Sequence, residues 1–407
     1  MIVRRYAGLM TLSNFSTGLL AAVLSLIMLD KGLTLGGIAL AVTIYSLTAA
    51  VLEVPTGIAA DILGRKRTFI ISLFVFSAAF ALLLLMNGPA WVLSAAALMG
   101  AGKAMSSGTI EALFISRYIA ACGTERLSGA MRVLALSESV GIASGALLGG
   151  FLPTVSALFL SGRGPYDLNL LLRVALSLLL AGLTTLLIPD DRCERSERLR
   201  LGAHLRESVR LVGRSQTLKW LLIATAGLGI ALCALESYWQ PLLLGLLGGG
   251  QKTAILGVLS MLYFGAVIAG NLVSDKLLSR HIIGETAMFL IGRTVMLVCM
   301  ICAAFFRQPA IFMVLYCVMY FCLGASNISE GALIHREVPD GRRASMLSTQ
   351  SFTLQAGMLA FSLGAGAKAE TSSIQTVWVA AAIVSALMLI PALQFVSRAK
   401  PRGQQEQ

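Results

Sequence analysis

Gly57-Ile58-Ala59-Ala60-Asp61-Ile62-Leu63-Gly64-Arg65-Lys66-Arg67 is the stretch on which the fold turns. Two glycines bracket an acid, and three cations follow the second glycine at once. Long apolar segments run on either side, so the stretch is a short charged hairpin between two of them. Gly57 and Gly64 allow close packing and a turn that a side chain would obstruct. Asp61 closes the first segment, where a carboxylate can pair with a cation or a helix N-terminus. Arg65, Lys66 and Arg67 anchor the next segment at a lipid surface. A plain basic hairpin accounts for the three cations but not for the Gly–Asp–Gly spacing.

The rest of the chain has the composition such a hairpin requires. Of 407 residues, 57% are hydrophobic and 13% charged, with a mean hydropathy of +0.82. A soluble domain carries roughly a quarter charged residues. The chain is therefore read as a multi-spanning membrane protein, which excludes a globular enzyme. Arg4 and Arg5 precede an apolar run as in a signal peptide, but the run is too long and no small-residue cleavage site follows. It is read as the first membrane helix. A span needs about 20 apolar residues. Twelve segments qualify, near 6–29, 36–60, 68–86, 90–116, 127–152, 166–188, 218–240, 252–274, 282–304, 309–333, 343–366 and 372–396.

An even number of spans puts both termini on one side of the membrane. That side collects Arg65, Lys66, Arg67, Arg117, Arg126, Arg132, Lys276, Arg280, Arg336, Arg342, Arg343, the 190–219 segment and both termini. These hold about 24 of the 32 lysines and arginines, so the positive-inside rule makes the side cytoplasmic. The net charge of +12 is thus a topology signal, and no nucleic-acid partner is needed to explain it. The expected setting is the cytoplasmic membrane, with the lipid bilayer as partner.

Four regions follow: a six-helix bundle over 1–189, a cytoplasmic linker over 190–217, a second six-helix bundle over 218–397, and a tail over 398–407. Within the linker, Leu205, Val209 and Val212 recur at helical spacing, opposite Arg206, Glu207 and Arg210, as in a helix lying on a membrane surface. The bundles repeat weakly. Gly102-Lys103-Ala104-Met105-Ser106-Ser107 is similar to Gly324-Ala325-Ser326-Asn327-Ile328-Ser329, and Asp61 has a counterpart in Asp275. Paired repeats around a central site are the general logic of carriers.

The spacing G-x-x-x-D-x-x-G-R-K-R resembles the loop between helices 2 and 3 of the major facilitator superfamily. The resemblance extends through the spans to nearly the whole chain. It implies an all-α membrane fold of twelve helices in two pseudo-symmetric six-helix bundles. It also implies transport by alternating access, with Gly57, Asp61, Gly64, Arg65 and Lys66 as a gating latch. Gly141, Gly145, Gly149 and Gly150 resemble the glycine-rich helix-5 motif of proton-coupled efflux members. Ala146 stands where that motif has proline, and the same pattern can serve as a small-residue helix interface. Ala96 replaces an arginine of the antiporter pattern in span 4, and Ser116-Arg117 occupy a region where related carriers hold a carboxylate. Leu52-Glu53-Val54-Pro55-Thr56-Gly57 and Ser107-Gly108-Thr109-Ile110-Glu111-Ala112 are similar to stretches of prokaryotic facilitators.

An ionisable residue inside a span costs several kcal/mol unless it is paired or faces water, which makes such residues the mechanistic shortlist. Glu53 lies roughly 12 Å from the inner end of span 2. Glu111 is at similar depth, and Glu138 is near the middle of span 5. These three are the proton-coupling candidates; the alternative is structural, with Glu53 before Pro55 accepting hydrogen bonds at a helix irregularity or pairing with Lys103 or Arg132. Glu330, Glu236, Lys103 and Arg293 also lie in spans, while Arg173, near an outer end, is expected to snorkel. The substrate cavity is expected to draw on Asn14, Tyr238, Trp239, Gln240, Gln350 and Gln355. Pro241 is expected to break span 7 at an outer gate, where Tyr238 and Trp239 also fit an interfacial aromatic belt.

The seven cysteines and the three histidines, His204, His281 and His335, lack metal-ligand spacing, and there is no P-loop. No metal, cofactor or enzymatic activity is expected. The expected protein is a secondary transporter of a small molecule, coupled to protons or sodium and functional as a monomer. Its expected action is efflux of an amphipathic or cationic compound. The alternative is a symporter importing a polar nutrient.

Overall fold

The computed structural model describes residues 2–122, 127–159, 164–189, 213, 215–249, 252–338 and 343–396. Among them there is no strand, and fourteen helices follow in order. They are α1 (Ile2–Ala21), α2 (Leu24–Asp30), α3 (Leu35–Leu63), α4 (Arg65–Leu85), α5 (Pro89–Ser106), α6 (Thr109–Cys122) and α7 (Leu127–Phe159). After them come α8 (Asp167–Leu187), α9 (Gln216–Leu246), α10 (Thr253–Ser279), α11 (Glu285–Phe305), α12 (Pro309–Glu337), α13 (Arg343–Thr371) and α14 (Ile374–Val396). The chain folds as an all-α membrane protein.

By length and composition nine of these helices can cross a membrane, or ten if α1 and α2, bent by 49° at their break, form one span. The expected fourth span is interrupted at Ser107-Gly108, leaving α5 and α6 as shorter pieces. Gly108 has φ 65°, which ends α5 without strain. Local chemistry sets the other ends. Thr34 caps α3 by accepting the Gly37 amide at 3.1 Å. Pro89 and Pro309 open α5 and α12, where a missing N–H costs nothing. The expected stop at Pro241 does not occur, since α9 runs through it to Leu246. A proline removes only one intrahelical bond, which a buried span can absorb.

The described chain divides into two compact units. One comprises Met1–Arg198 with Gln240–Phe264, the other Leu199–Trp239 with Gly265–Gln407. The amphipathic stretch at Leu205, Val209 and Val212 and the 398–407 tail lie outside the described residues.

The first unit has a core of Tyr6, Leu9, Met10, Phe69, Leu73, Ile110, Phe114 and Leu180, drawn from α1, α4, α6 and α8. Its helices approach through glycines. Gly18, Gly141, Gly145 and Gly149 bring α1 and α7 into backbone contact, and Gly100 does the same for α3 and α5. The second unit uses the same device. Gly229 and Gly357 join α9 to α13, while Gly270 and Gly324 join α10 to α12. Such pairing is how helices associate where lipid removes the hydrophobic incentive.

Candidate functional site

Gly64 ends α3 and begins α4 with φ 95°, a conformation other residues adopt only under strain. Its amide still reaches the Ala60 carbonyl at 3.0 Å. Lys66 is buried at 6% exposure and donates to the Thr185 carbonyl at 3.1 Å, tying the loop to the end of α8. Arg65 is half-buried. The close packing expected at Gly57 is not found: a Cβ there would meet nothing within 4 Å, because this turn of α3 is exposed. Asp61 lies in α3, three residues before Gly64.

In the first unit, Glu53, Lys103, Glu111 and Glu138 are all exposed. Lys103 and Glu111 flank the α5–α6 interruption, and the charges of Lys103 and Glu138 both act on Glu111. Two of the three coupling candidates thus share one electrostatic neighbourhood with a cation. The partner considered above for Glu53, Arg132, has a side chain outside the described set. Asn14 is half-buried and packs against Gly141, so the helix-5 glycines and this cavity candidate meet at one α1–α7 contact. Gly150 is turned elsewhere: a Cβ on it would lie 2.5 Å from Gly257 of α10. Gly141, Gly145 and Gly149 make a small-residue interface with α1.

Arg173 does not snorkel. It is 6% exposed, stacks on the rings of Phe76 and Phe80 at 5.5 and 5.1 Å, and donates to Ser16 Oγ at 2.5 Å. The apolar faces of α4 and α8 close over it before its side chain reaches an interface. Asn169, one turn earlier, donates to the carbonyls of Leu19 and Gly149 at 3.1 and 2.8 Å and so links α1, α7 and α8.

The expected cavity residues of span 7 are enclosed. Tyr238 and Trp239 are buried, and Trp239 packs at a tilt against Tyr316, ring centroids 5.3 Å apart, in a run of rings that includes Phe312, Tyr320 and Trp378. Buried to this degree, neither ring faces lipid. Gln240 is also buried and donates to the Ala21 carbonyl at 3.0 Å, where α1 stops. In α13, Gln350 and Gln355 are half-buried.

Two features of the second unit appear only in three dimensions. Arg293 of α11 and Glu330 of α12 form a 2.5 Å ion pair at 4% and 2% exposure. Thr225 of α9 donates to the same carboxylate, and Arg293 also donates to Asn327 at 2.9 Å. The charged residues were visible, but Thr225, about a hundred positions away, carried no signal. The second feature is Glu236. From 227 to 240, α9 is buried on every face except at this one exposed residue.

The Major Facilitator Superfamily profile matches residues 7–306 and again 252–407. Among solved structures, a mutant of the nucleoside transporter NupG is similar at a TM-score of 0.80 and 16% identity, covering 97% of this chain and 99% of that one. A bacterial homolog of the human lysosomal transporter Spinster, inward-facing and unoccupied, is similar at 0.74 and 15% identity, with 97% and 95% covered. An auto-inhibited POT family peptide transporter is similar at 0.74 and 13% identity, with 100% and 98% covered. Among curated proteins, none matches the chain. The paired glycine-packed helices and the profile match over both halves agree: this chain belongs to the Major Facilitator Superfamily, as a multi-pass membrane transporter of a small molecule and not an enzyme.

Proposed function

We propose that this transporter exports an amphipathic or cationic compound across the cell membrane in exchange for protons. It works by alternating access as a monomer, between halves 1–189 and 218–397 and with both termini in the cytoplasm. The carrying observation is the exposure of Glu53, Lys103, Glu111 and Glu138 on otherwise apolar helices. An ionised side chain against hydrocarbon is costly, so exposed charges at this depth face water. A carboxylate that meets water on each side of the membrane in turn can carry a proton across it. Glu111, between the charges of Lys103 and Glu138, is the first choice for the coupling residue, and Glu53 and Glu138 are the others.

The test is substrate-driven proton movement in proteoliposomes, over lipophilic cations, sugars, amino acids, nucleosides and peptides. Proton exit from the lumen as a cation enters is the expected result, lost in one of Glu53→Gln, Glu111→Gln or Glu138→Gln. Protons travelling with a polar nutrient would replace exchange with symport. Uptake without proton movement would leave sodium coupling or uniport.

A further inference from the structure

We infer that Glu236 is a binding residue for the positive charge of the transported compound. Leu232, Cys233, Leu235, Ser237, Trp239 and Gln240, its neighbours one and one turn away, are each 9% exposed or less. A helix side facing lipid would expose residues three and four apart together, since these share a face. Here a single residue is exposed while its neighbours along the helix are covered, so Glu236 opens onto water inside the protein, not onto hydrocarbon.

Its carboxylate has no protein partner among the described residues. Among the described residues Glu236 accepts no hydrogen bond and joins no ion pair, whereas Glu330 on α12 is held by Arg293 and Thr225. A membrane-embedded carboxylate without a cation is a functional group by default, because neutralisation must come from outside the chain. The class of ligand follows: a compound carrying an ammonium, phosphonium or similar cationic centre. The inference rests on the export of a cationic compound proposed above, but names a group of the second unit in place of Glu111 or Glu138.

The probe is tetraphenylphosphonium, whose charge is permanent, measured for binding to the full chain in lipid nanodiscs. Triphenylphosphine oxide serves as a neutral control. Glu236→Gln is expected to weaken tetraphenylphosphonium binding by about tenfold to a hundredfold, as loss of a charge-assisted contact does. It should leave the control unmoved, and Glu236→Asp should restore most of the affinity. In the unaltered protein a water-soluble carbodiimide should modify Glu236, and the cation should protect it. If tetraphenylphosphonium binds equally to the Gln variant, or Glu236 resists the carbodiimide, the assignment is overturned while cation export stands. If no lipophilic cation binds the unaltered protein, both readings fall together.

Discussion

Replacing Glu330 with glutamine should destabilise the protein more than any other single change that conserves side-chain volume. The substitution keeps the shape and an acceptor for Thr225, but leaves the Arg293 charge in place at 4% exposure. Among the described residues two Arg293 nitrogens, Nε and Nη1, already have no hydrogen-bond partner, so the guanidinium depends on Glu330, Asn327 and the ring of Phe289. Breaking a buried ion pair from one side costs about 3–5 kcal/mol. At about 2–4 °C per kcal/mol for a unit of this size, the midpoint of thermal unfolding should fall by roughly 6–20 °C. The decisive arm is the double variant Arg293→Met with Glu330→Leu. Removing both charges removes both desolvation penalties, and such exchanges are neutral or stabilising by about 1–4 kcal/mol. The double variant should therefore unfold close to or above the parent, well above Glu330→Gln. Thermal unfolding in nanodiscs, followed by tryptophan fluorescence, reads all three. A double variant that loses as much as the sum of its singles would refute the pair as a coupled unit.

Three further outcomes follow from the packing. Gly64→Ala, at φ 95°, should lower the unfolding midpoint through about 1–3 kcal/mol of backbone strain, while Gly57→Ala, open on all sides within 4 Å, should be neutral or slightly stabilising in the same assay. Gly150→Val should abolish transport, because its Cβ would lie 2.5 Å from backbone atoms of Gly257 and 2.7 Å from the Thr253 carbonyl; Gly265→Val, on the same helix as Gly257 and facing open space, should transport normally in liposomes. Gln240→Leu should cost about 1–3 kcal/mol of stability by leaving the Ala21 carbonyl without its donor, and equal midpoints for variant and parent would show that water replaces it.

What the sequence disclosed and what it withheld divide along a physical line. Helix existence, the Gly64 turn and the glycine contacts were legible because each depends on local residue type. The α5–α6 interruption carried its own signal in Ser107-Gly108, whereas the α1–α2 break at Ala21-Ala22-Val23 carried none, since no glycine or proline marks it. Burial in three dimensions was the hidden quantity. It moved Arg173 from an expected interface into an aromatic clamp, enclosed Tyr238 and Trp239, and singled out Glu236 on a helix whose other faces are covered.

The two units make the same point from inside the molecule. Both bind their helices through glycines on equivalent pairs, α1 with α7 and α9 with α13, α3 with α5 and α10 with α12. Their charges do not repeat. Among the described residues the second unit gives its buried Arg293 a carboxylate, while the first gives Arg173 Ser16 and two phenylalanine rings. A scaffold shared by two repeats can be kept by small residues at fixed spacing, and these survive in the sequence as a faint internal likeness. Chemistry that differs between the repeats must rest on residues outside that likeness, so the residues that break the repeat are where specificity and coupling belong.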